Sequence, residues 1–361
     1  MSAAHSLSAE TLVALRAPAS VMSRLREHFG EHGLVSGVDT AWSIELEIGI
    51  ATAKLDDGGI SFRVEASDDT SLSFLQWSVA EHVYEFAPDE KPDILWQGGI
   101  RPGTPAPYFR EMTVVRAAQV TPLMRRLTLR GQNLARFARN GLHVRLLFPP
   151  RPGVEAIWPV IGEDGRQAWP EGERPISRVY TIRRIDVAAG EIDIDFVLHE
   201  GDDMPGAQFA SDAMPGDIVG MTGPGGGTLP HSSRYIFAGD ETALPAISRM
   251  LEELPPNTHA LALVEIAADS ERQQLALKPG IELHYLSRNG RPAGTTELLF
   301  DSLRALDEAV WEGAPYVWVG CEQAASRQIR KFLKQERHLH RSSFLAAAYW
   351  RRGRAGEIDD D

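Results

Sequence analysis

The chain has 361 residues, 43% of them apolar and 24% charged, a composition that is ordinary for a globular protein with two or three domains. Acidic residues outnumber basic residues by 50 to 37, and the formal charge of −13 argues against a general affinity for nucleic acid or anionic lipid. The one cysteine, Cys321, excludes a disulfide framework and any multi-cysteine iron–sulfur or zinc site, so we expect no metal ligands.

The sequence also lacks the patterns of membrane-spanning and secreted proteins. It contains no run of about 18 apolar residues, and its first segment does not place a basic region before an apolar stretch. We therefore expect no membrane span and a cytoplasmic location, and we take the chain to be a monomer.

Residues 1–103 are predicted to form a small α+β domain of helix, hairpin and helix, followed by a linker. The pattern over 18–33 indicates a helix, and two alternating runs, 44–55 and 60–67, joined by Asp-Asp-Gly-Gly, indicate a hairpin. A second amphipathic helix follows, with the apolar stripe Leu72, Leu75, Val79, Val83 and Phe86. The stretch 98–107 is rich in glycine and proline and is typical of a domain boundary.

Two further domains are predicted, at 104–230 and 231–361. The first contains six short alternating runs, which favour a closed antiparallel β-barrel: REMTVVRAAQV, MRRLTLRG, HVRLLFPP, SRVYTIRRI, EIDIDFVLH and DIVGMTGP. The second contains four compact apolar strands that are each followed by a potentially helical segment: RYIFAGD, HALALVEIA, IELHYLS and YVWVGC. That alternation predicts a parallel sheet covered by helices.

One barrel strand carries the spacing Arg-x-Tyr-Thr, formed by Arg178, Tyr180 and Thr181. An arginine can clamp a phosphate, a tyrosine ring can lie against a flat ring, and a threonine hydroxyl can hydrogen-bond a ring heteroatom. Taken alone, this spacing is weak, because an exposed arginine on a surface strand would look the same.

The spacing occurs within a longer ordered series of motifs. RVYTIRR at 178–184 precedes DFVLH, MPGD and TGP, and these are followed by GDETALPAI at 239–247, YVWVGCE at 316–322 and YWRRG at 349–353. Over roughly residues 108–354 this series resembles the siderophore-interacting proteins, which are FAD-dependent ferric-siderophore reductases of the ferredoxin-reductase superfamily. The small N-terminal domain resembles a domain of unknown function that is sometimes fused ahead of such reductases.

The resemblance implies an FAD-binding barrel, an NAD(P)-binding α/β domain with a C-terminal extension, and roles for individual residues. Arg178 would bind the FAD phosphates, Tyr180 would pack on the isoalloxazine, and Thr181 would lie near its N5 atom. The adenine–pyrophosphate portion would be held by His199, Pro205, Gly206 and Ala207. His199 is equally well explained as a hydrogen-bonded residue at a strand end.

The resemblance also places two groups of residues near the nicotinamide. Asp240, Glu241 and Thr242 open a helix at the carboxyl edge of the parallel sheet and would act in catalysis with Thr181. The alternative is a capping loop with two solvated acids. Tyr349 and Trp350 would lie near the flavin or nicotinamide, unless they only pack against the barrel.

The implied reaction passes electrons from NADPH or NADH through FAD to Fe(III) in a siderophore, releasing Fe(II). Ferric siderophores are often anionic, so we assign acceptor binding to the arginines Arg183, Arg184, Arg351 and Arg352. Reduced ferredoxin stays open as a donor. Two other functions stay open as well: a flavin reductase that serves another acceptor, and a non-catalytic siderophore-binding protein.

Overall fold

The structure is a computed structural model that describes residues 7–139, 141–151, 154–198 and 205–354. It divides into two compact units. The first unit contains Met1–Phe109 with Pro150–Pro175, and the second contains Arg110–Pro149 with Ile176–Asp361. No helix in the described part of the chain is long and apolar enough to cross a membrane.

The first unit is built on a six-stranded antiparallel sheet with two helices. Its elements, in chain order, are β1 (Leu7–Ala14), α1 (Pro18–Gly30), β2 (Leu34–Val38), β3 (Ala41–Leu46), β4 (Gly49–Asp56), β5 (Gly59–Ala66), α2 (Asp69–Phe86) and β6 (Gln97–Gly98). The strand order is β2-β3-β4-β5-β1-β6. Pro18 starts α1, where its missing N–H costs nothing. Asp68 caps α2, because its side chain accepts hydrogen bonds from the Thr70 and Ser71 amides at 3.0 Å.

The first unit is thus a six-stranded sheet with two helices, and the predicted helix–hairpin–helix is not confirmed as its description. The hairpin β4–β5 turns at Asp57-Gly58, where Gly58 has a φ of +82°. The first predicted strand is two strands, because the chain reverses between β3 and β4. The strand β1 adds to the other side of β5. Apolar side chains of both helices and of the sheet form one core, which includes Val21, Leu25, Ile44, Phe62, Val64, Leu72, Leu75 and Val79.

The segment Pro150–Pro175, which lies in the sequence between two barrel strands, also belongs to the first unit. It carries a two-stranded ribbon, β10 (Val160–Ile161) with β11 (Gln167–Ala168). The glycine- and proline-rich stretch is tied to this ribbon, since the Gly103 amide donates to the Ile161 carbonyl at 2.8 Å. The boundaries predicted at 103 and 230 stay predictions.

The second unit begins with the closed barrel that the sequence predicted. Its strands are β7 (Phe109–Thr121), β8 (Met124–Arg130), β9 (His143–Phe148), β12 (Ile176–Asp186), β13 (Glu191–Val197) and β14 (Ile218–Gly225). They close in the order β12-β13-β8-β7-β14-β9. The helix α3 (Pro205–Asp212) packs on this barrel, with Ala210 in the barrel core.

The rest of the second unit is the predicted parallel α/β domain. Its strands are β15 (Arg234–Gly239), β16 (His259–Ile266), β17 (Ile281–Ser287), β18 (Tyr316–Glu322) and β19 (Phe344–Trp350), in the order β17-β16-β15-β18-β19. Its helices are α4 (Leu244–Glu253), α5 (Leu298–Arg304), α6 (Glu308–Trp311) and α7 (Gln323–Gln335). The fifth strand, β19, was not predicted. It places Tyr349 and Trp350 at the carboxyl edge of the sheet, next to the end of β18.

Candidate functional site

The Arg-x-Tyr-Thr motif lies on β12, which pairs with β9 so that Thr181 is opposite His143. Arg178 is half-buried, and its Nη1 donates to the Ser177 carbonyl at 2.7 Å. Among the described residues, no carboxylate forms an ion pair with Arg178, so its charge is open to a ligand. Thr181 is buried.

Tyr180 connects β12 with the first turn of α3. Its ring lies 4.5 Å from the Phe196 ring and 6.1 Å from the Phe148 ring, measured between centroids. Its hydroxyl lies against Gly206, where an added Cβ would overlap the hydroxyl and stand 2.7 Å from Cζ. Burial raises the pKa of Tyr180, so the phenol stays neutral. Glycine at 206 is thus required for the approach of Tyr180 to α3.

The other residues predicted for the FAD phosphates lie on or before the same helix. Pro205 is half-buried at the start of α3, and Ala207 is buried with Gly206. The amides of Gly206 and Ala207 belong to the first turn, so they need acceptors outside the helix. The predicted residue His199 lies outside the described residues.

Asp240 accepts four hydrogen bonds at the carboxyl edge of the sheet. Its Oδ1 accepts from the Thr242 amide at 3.0 Å and the Thr242 hydroxyl at 2.5 Å. Its Oδ2 accepts from the Glu322 amide at 3.1 Å and the Trp350 Nε1 at 2.7 Å. Through these hydrogen bonds, Asp240 joins the ends of three strands, β15, β18 and β19. Because Asp240 is buried, it is not a solvated acid.

We expect the fluorescence of Trp350 to titrate near pH 6. Burial, followed by the charge of Glu241, raises the pKa of Asp240 from 3.8 to about 6. Because this pKa is above that of an unfolded aspartate, the group stabilises the fold fully below about pH 4, and this contribution is lost as the pH rises through about 6. The fluorescence difference between the wild type and Trp350→Phe measures this titration. Asp240→Asn should abolish the titration, and the exposed control Asp307→Asn should leave it; persistence in Asp240→Asn would contradict the assignment.

Glu241 is held in a buried ion-pair cluster. Its two carboxylate oxygens accept from Arg288 Nη1 and Nη2 at 2.7 and 2.6 Å. Arg288 is only 2% exposed, and it also lies 3.4 Å from Glu265. Burial raises the pKa of Glu265 even beside this guanidinium. Glu241 therefore has a fixed partner and is not an open base.

A small pocket lies beside this cluster. Its lining includes Asp240, Glu265, Thr296, Cys321 and Glu322. Burial, followed by the charges of nearby acids, raises the pKa of the Cys321 thiol well above its usual range. The thiol is therefore protonated at neutral pH and is not a reactive thiolate.

Tyr349 faces the barrel while Trp350 faces Asp240. The Tyr349 hydroxyl lies 2.7 Å from His143 Nε2, and the ring meets Trp318 edge-on at 5.9 Å. Burial, followed by the charge of Arg249, lowers the pKa of His143 to about 4, so the imidazole is neutral. Tyr349 thus contacts the barrel and Trp350 the sheet edge, and a place for this pair near the flavin or nicotinamide stays a prediction.

Two of the arginines predicted to bind the acceptor are ion-paired. Arg183 is 9% exposed, and its guanidinium is paired with both oxygens of Glu252 at 2.7 and 2.8 Å. It joins the barrel to α4 and does not present an open charge. Arg184 is more exposed, but its Nε donates to Asp193 at 2.9 Å.

The other two predicted arginines lie in an exposed turn after β19. The Arg354 amide donates to the Arg351 carbonyl at 3.2 Å, and Gly353 turns the chain with a φ of +75°. The Arg352 amide donates to Glu322 at 3.1 Å, which anchors the turn to the end of β18. Within the described residues, no carboxylate is paired with the side chains of Arg351, Arg352 and Arg354, all of which are exposed.

Sequence reasoning missed three functional neighbours: His143, Glu265 and Arg288. A signal was present for Glu265, because it is an acid near the end of the otherwise apolar strand HALALVEI. Arg288 directly follows β17, so it lies at the same sheet edge as Asp240. His143 carried no signal in the sequence, since its role depends on a contact with Tyr349, which is 206 residues away in the chain.

Three protein-family profiles match the chain. Residues 10–97 match "Uncharacterized protein conserved in bacteria (DUF2218)". Residues 113–228 match "Siderophore-interacting FAD-binding domain", and residues 232–353 match "Siderophore-interacting protein".

Individual proteins are similar over the same share of the chain. The ferric vibriobactin reductase ViuB of Vibrio cholerae is 30% identical over 69% of this chain and 92% of its own length. The NADPH-dependent ferric-chelate reductase of Escherichia coli is 30% identical over 67% of this chain and 92% of its own length. Among solved structures, a siderophore utilization protein from T. fusca is 37% identical, with a TM-score of 0.59, over 70% of this chain and 95% of that one. The siderophore-interacting protein SipS from Aeromonas hydrophila is 32% identical, with a TM-score of 0.58, over 68% and 93%.

Proposed function

The chain belongs to the siderophore-interacting protein family, and we propose that it is an FAD-dependent reductase that uses NAD(P)H to reduce Fe(III) bound to a siderophore. The proposal is carried by one observation: the same unit contains Arg178, a barrel-strand arginine without a carboxylate partner among the described residues, and the sheet edge at which Trp350 donates to Asp240. Relatives that are named ferric vibriobactin reductase and NADPH-dependent ferric-chelate reductase support it.

The residues of β12 and α3 fit an FAD molecule. Arg178 and the first-turn amides of α3 offer positive charge and N–H donors of the kind that bind phosphate. Thr181 supplies a hydroxyl on the same strand as Arg178, and Tyr180 fixes α3 against the barrel. When bound, FAD accepts a hydride from the nicotinamide and delivers single electrons to the iron.

Asp240, Glu241 and Thr242 are proposed to position the reactants, because hydride transfer requires close alignment and no added acid or base. Asp240 fixes the indole of Trp350, and Thr242 donates to Asp240. Glu241 fixes Arg288 under this edge of the sheet. Because the polar groups of these three residues are hydrogen-bonded, they form a rigid surface on which the nicotinamide can pack.

We take the loop after β16 to contact the ribose of the electron donor. Arg272 would suit a 2′-phosphate, and Asp269 would suit a ribose hydroxyl. Arg272 donates to Asp269 at 2.9 Å, so the two charges neutralise each other. NADPH and NADH therefore both stay candidates. We favour a pyridine nucleotide over reduced ferredoxin, because a chain with a net charge of −13 repels an acidic partner. The same proposal takes the protein to be a cytoplasmic monomer.

The acceptor side of the proposal rests on the turn after β19. Arg351 and Arg352 are exposed and stand beside the Trp350 edge, where they can attract an anionic ferric chelate. Arg183 is left out of this site, because Glu252 already neutralises it.

We expect Arg351→Glu combined with Arg352→Glu to slow iron reduction at least about tenfold at low salt, since oriented charge raises association rates by about that factor or more. Flavin reduction by NAD(P)H should stay close to the wild-type rate. Anaerobic stopped-flow mixing with NADPH, NADH and a panel of ferric siderophores times the two half-reactions through flavin bleaching and Fe(II) capture. Raising the salt concentration should diminish the difference, because the Debye length falls from about 10 Å at 0.1 M to about 3 Å at 1 M.

The matched control is Lys334→Glu, a charge reversal at an exposed residue in the last turn of α7. The helices that follow the parallel strands end at the edge of the sheet opposite the carboxyl ends of the strands. This change should therefore leave both half-reactions intact. Equal slowing of both half-reactions in the arginine variant would indicate a damaged flavin site. Unchanged iron reduction would mean that the acceptor binds elsewhere.

A further inference from the structure

Three potential metal ligands meet where α1 ends in the first unit. His28 is in the last turn of α1, and Glu31 and His32 follow directly after it. The chain keeps turning there, since the Glu31 amide donates to the His28 carbonyl at 3.1 Å and the His32 amide to the Phe29 carbonyl at 3.0 Å. His28 and His32, four residues apart, therefore lie on one side.

The distances among these side chains suit a metal ion. His28, Glu31 and His32 each offer one ligand atom, and these atoms lie within 4.8 Å of one another. In a tetrahedral site with metal–nitrogen bonds of about 2.0–2.1 Å, ligand atoms are about 3.3 Å apart. His28 is half-buried and the other two are exposed, so Glu31 and His32 can rotate to close the difference.

A neighbouring helix holds His28, the half-buried member of the set. The His28 ring packs on His82 and Phe86 of α2, with centroid distances of 4.3 and 5.8 Å. His82 is fixed in turn, because its Nδ1 lies 2.6 Å from the Ser78 carbonyl and must carry the proton there. His28 is thus held in place before any ligand arrives.

The position of these residues at the end of α1 also favours a cation. The carbonyl end of α1 carries a partial negative charge, which attracts cations. Arg24, one helical turn before His28, is engaged by α2: its guanidinium lies 4.6 Å from the Phe86 ring centre and donates to the Phe86 carbonyl.

We propose that His28, Glu31 and His32 form a binding site for a first-row divalent transition-metal ion. Two imidazoles and one carboxylate suit Zn²⁺ or Fe²⁺ and disfavour Mg²⁺ and Ca²⁺, which take oxygen ligands. Three protein ligands leave room for water or an exchanging ligand on the metal. Fe²⁺ is also the product of the proposed reaction, but the site stands on its own geometry.

The test is metal titration of the full chain, free of any histidine tag and of chelating buffer. We expect one Zn²⁺ per chain with a Kd of about 1 µM or tighter by calorimetry, which corresponds to about −8.2 kcal/mol. Fe²⁺ under anaerobic conditions should compete for this site, and Mg²⁺ should not. Co²⁺ should give the visible absorption of a nitrogen-ligated ion.

Variants separate this site from adventitious binding. His32→Ala and Glu31→Gln replace exposed side chains, so they keep the fold, and each should weaken Zn²⁺ binding at least about tenfold, which is about 1.4 kcal/mol. His28→Ala with His32→Ala should abolish the binding. The control His284→Ala removes an exposed histidine 3.2 Å from the Glu282 carboxylate and should leave the binding unchanged, since no third ligand joins this pair among the described residues. Binding that survives the double variant, or no binding tighter than about 100 µM in the wild type, would overturn the proposal.

Discussion

Replacing Arg288 with alanine should lower the free energy of unfolding by about 3–5 kcal/mol, the range for breaking a buried ion pair from one side. The guanidinium neutralises Glu241 through two hydrogen bonds and lies near Glu265, and it is 2% exposed. Without it, two acids would stay in a poorly hydrated site close to Asp240. Urea denaturation of the flavin-loaded protein, followed by circular dichroism, measures the loss.

A surface ion pair in the same domain provides the matched control. Arg272 is paired with Asp269 at 2.9 Å, and both side chains are more than half exposed. Arg272→Ala should therefore cost less than about 1 kcal/mol. A loss in Arg288→Ala no larger than this would contradict the buried-cluster interpretation.

A combined variant shows that charge, and not lost volume, causes the effect. Arg288→Met keeps an unbranched side chain, and Glu241→Gln with Glu265→Gln removes the uncompensated charges. Because replacing a complete buried ion-pair set with neutral groups is often close to neutral for stability, this variant should recover much of the loss. If it were as unstable as Arg288→Ala, packing around Arg288 would be the cause.

The barrel was predictable from sequence because its strands alternate strongly. In EIDIDFV of β13, for example, Ile192, Ile194 and Phe196 enter the core, while charged residues take the positions between them. Such period-2 patterns define both a strand and its buried face. The motif Arg-x-Tyr-Thr could then be placed on a known element.

Among the strands that escaped prediction, β19 and β1 did so because their residues give a weak strand signal. The central part of β19 is Ala346, Ala347 and Ala348, and alanine has a low strand propensity. It forms a strand because β18 offers a free edge and α7 covers it, with Arg330 donating to the Ala346 carbonyl at 2.6 Å. In β1 the buried residues include Ala9 and Thr11, which give little hydrophobic contrast.

Pairings over long sequence distances were also beyond sequence reasoning. The motif analysis could place Arg183 after the Arg-x-Tyr-Thr strand, but its partner Glu252 lies 69 residues away on a helix. In the first unit, Trp96 Nε1 donates to the Asp164 carbonyl at 2.9 Å, and Arg166 stacks over Tyr84 at 4.3 Å. A segment between two barrel strands therefore folds with the N-terminal domain, and no local pattern indicates this.

Gly206→Ala should damage the proposed FAD site through a single methyl group. The added Cβ would overlap the Tyr180 hydroxyl and stand 2.7 Å from its Cζ, and Phe148 and Phe196 limit the retreat of the ring. Overpacking of this kind costs about 1–3 kcal/mol of stability. Since α3 must shift relative to Arg178, we expect FAD affinity to fall about tenfold, or about 1.4 kcal/mol. Titration of the apoprotein with FAD, followed by flavin fluorescence, measures this.

Gly225→Ala is the matched control, because a Cβ added at the end of β14 meets nothing within 4 Å. It should change neither stability nor FAD affinity. Adding Tyr180→Phe to Gly206→Ala removes the overlapping hydroxyl but keeps the contact with Cζ, so it should restore part of both losses. Destabilisation of Gly206→Ala with wild-type FAD affinity would mean that α3 has only a structural role. Arg178 would then have to hold the phosphates without the backbone amides of α3.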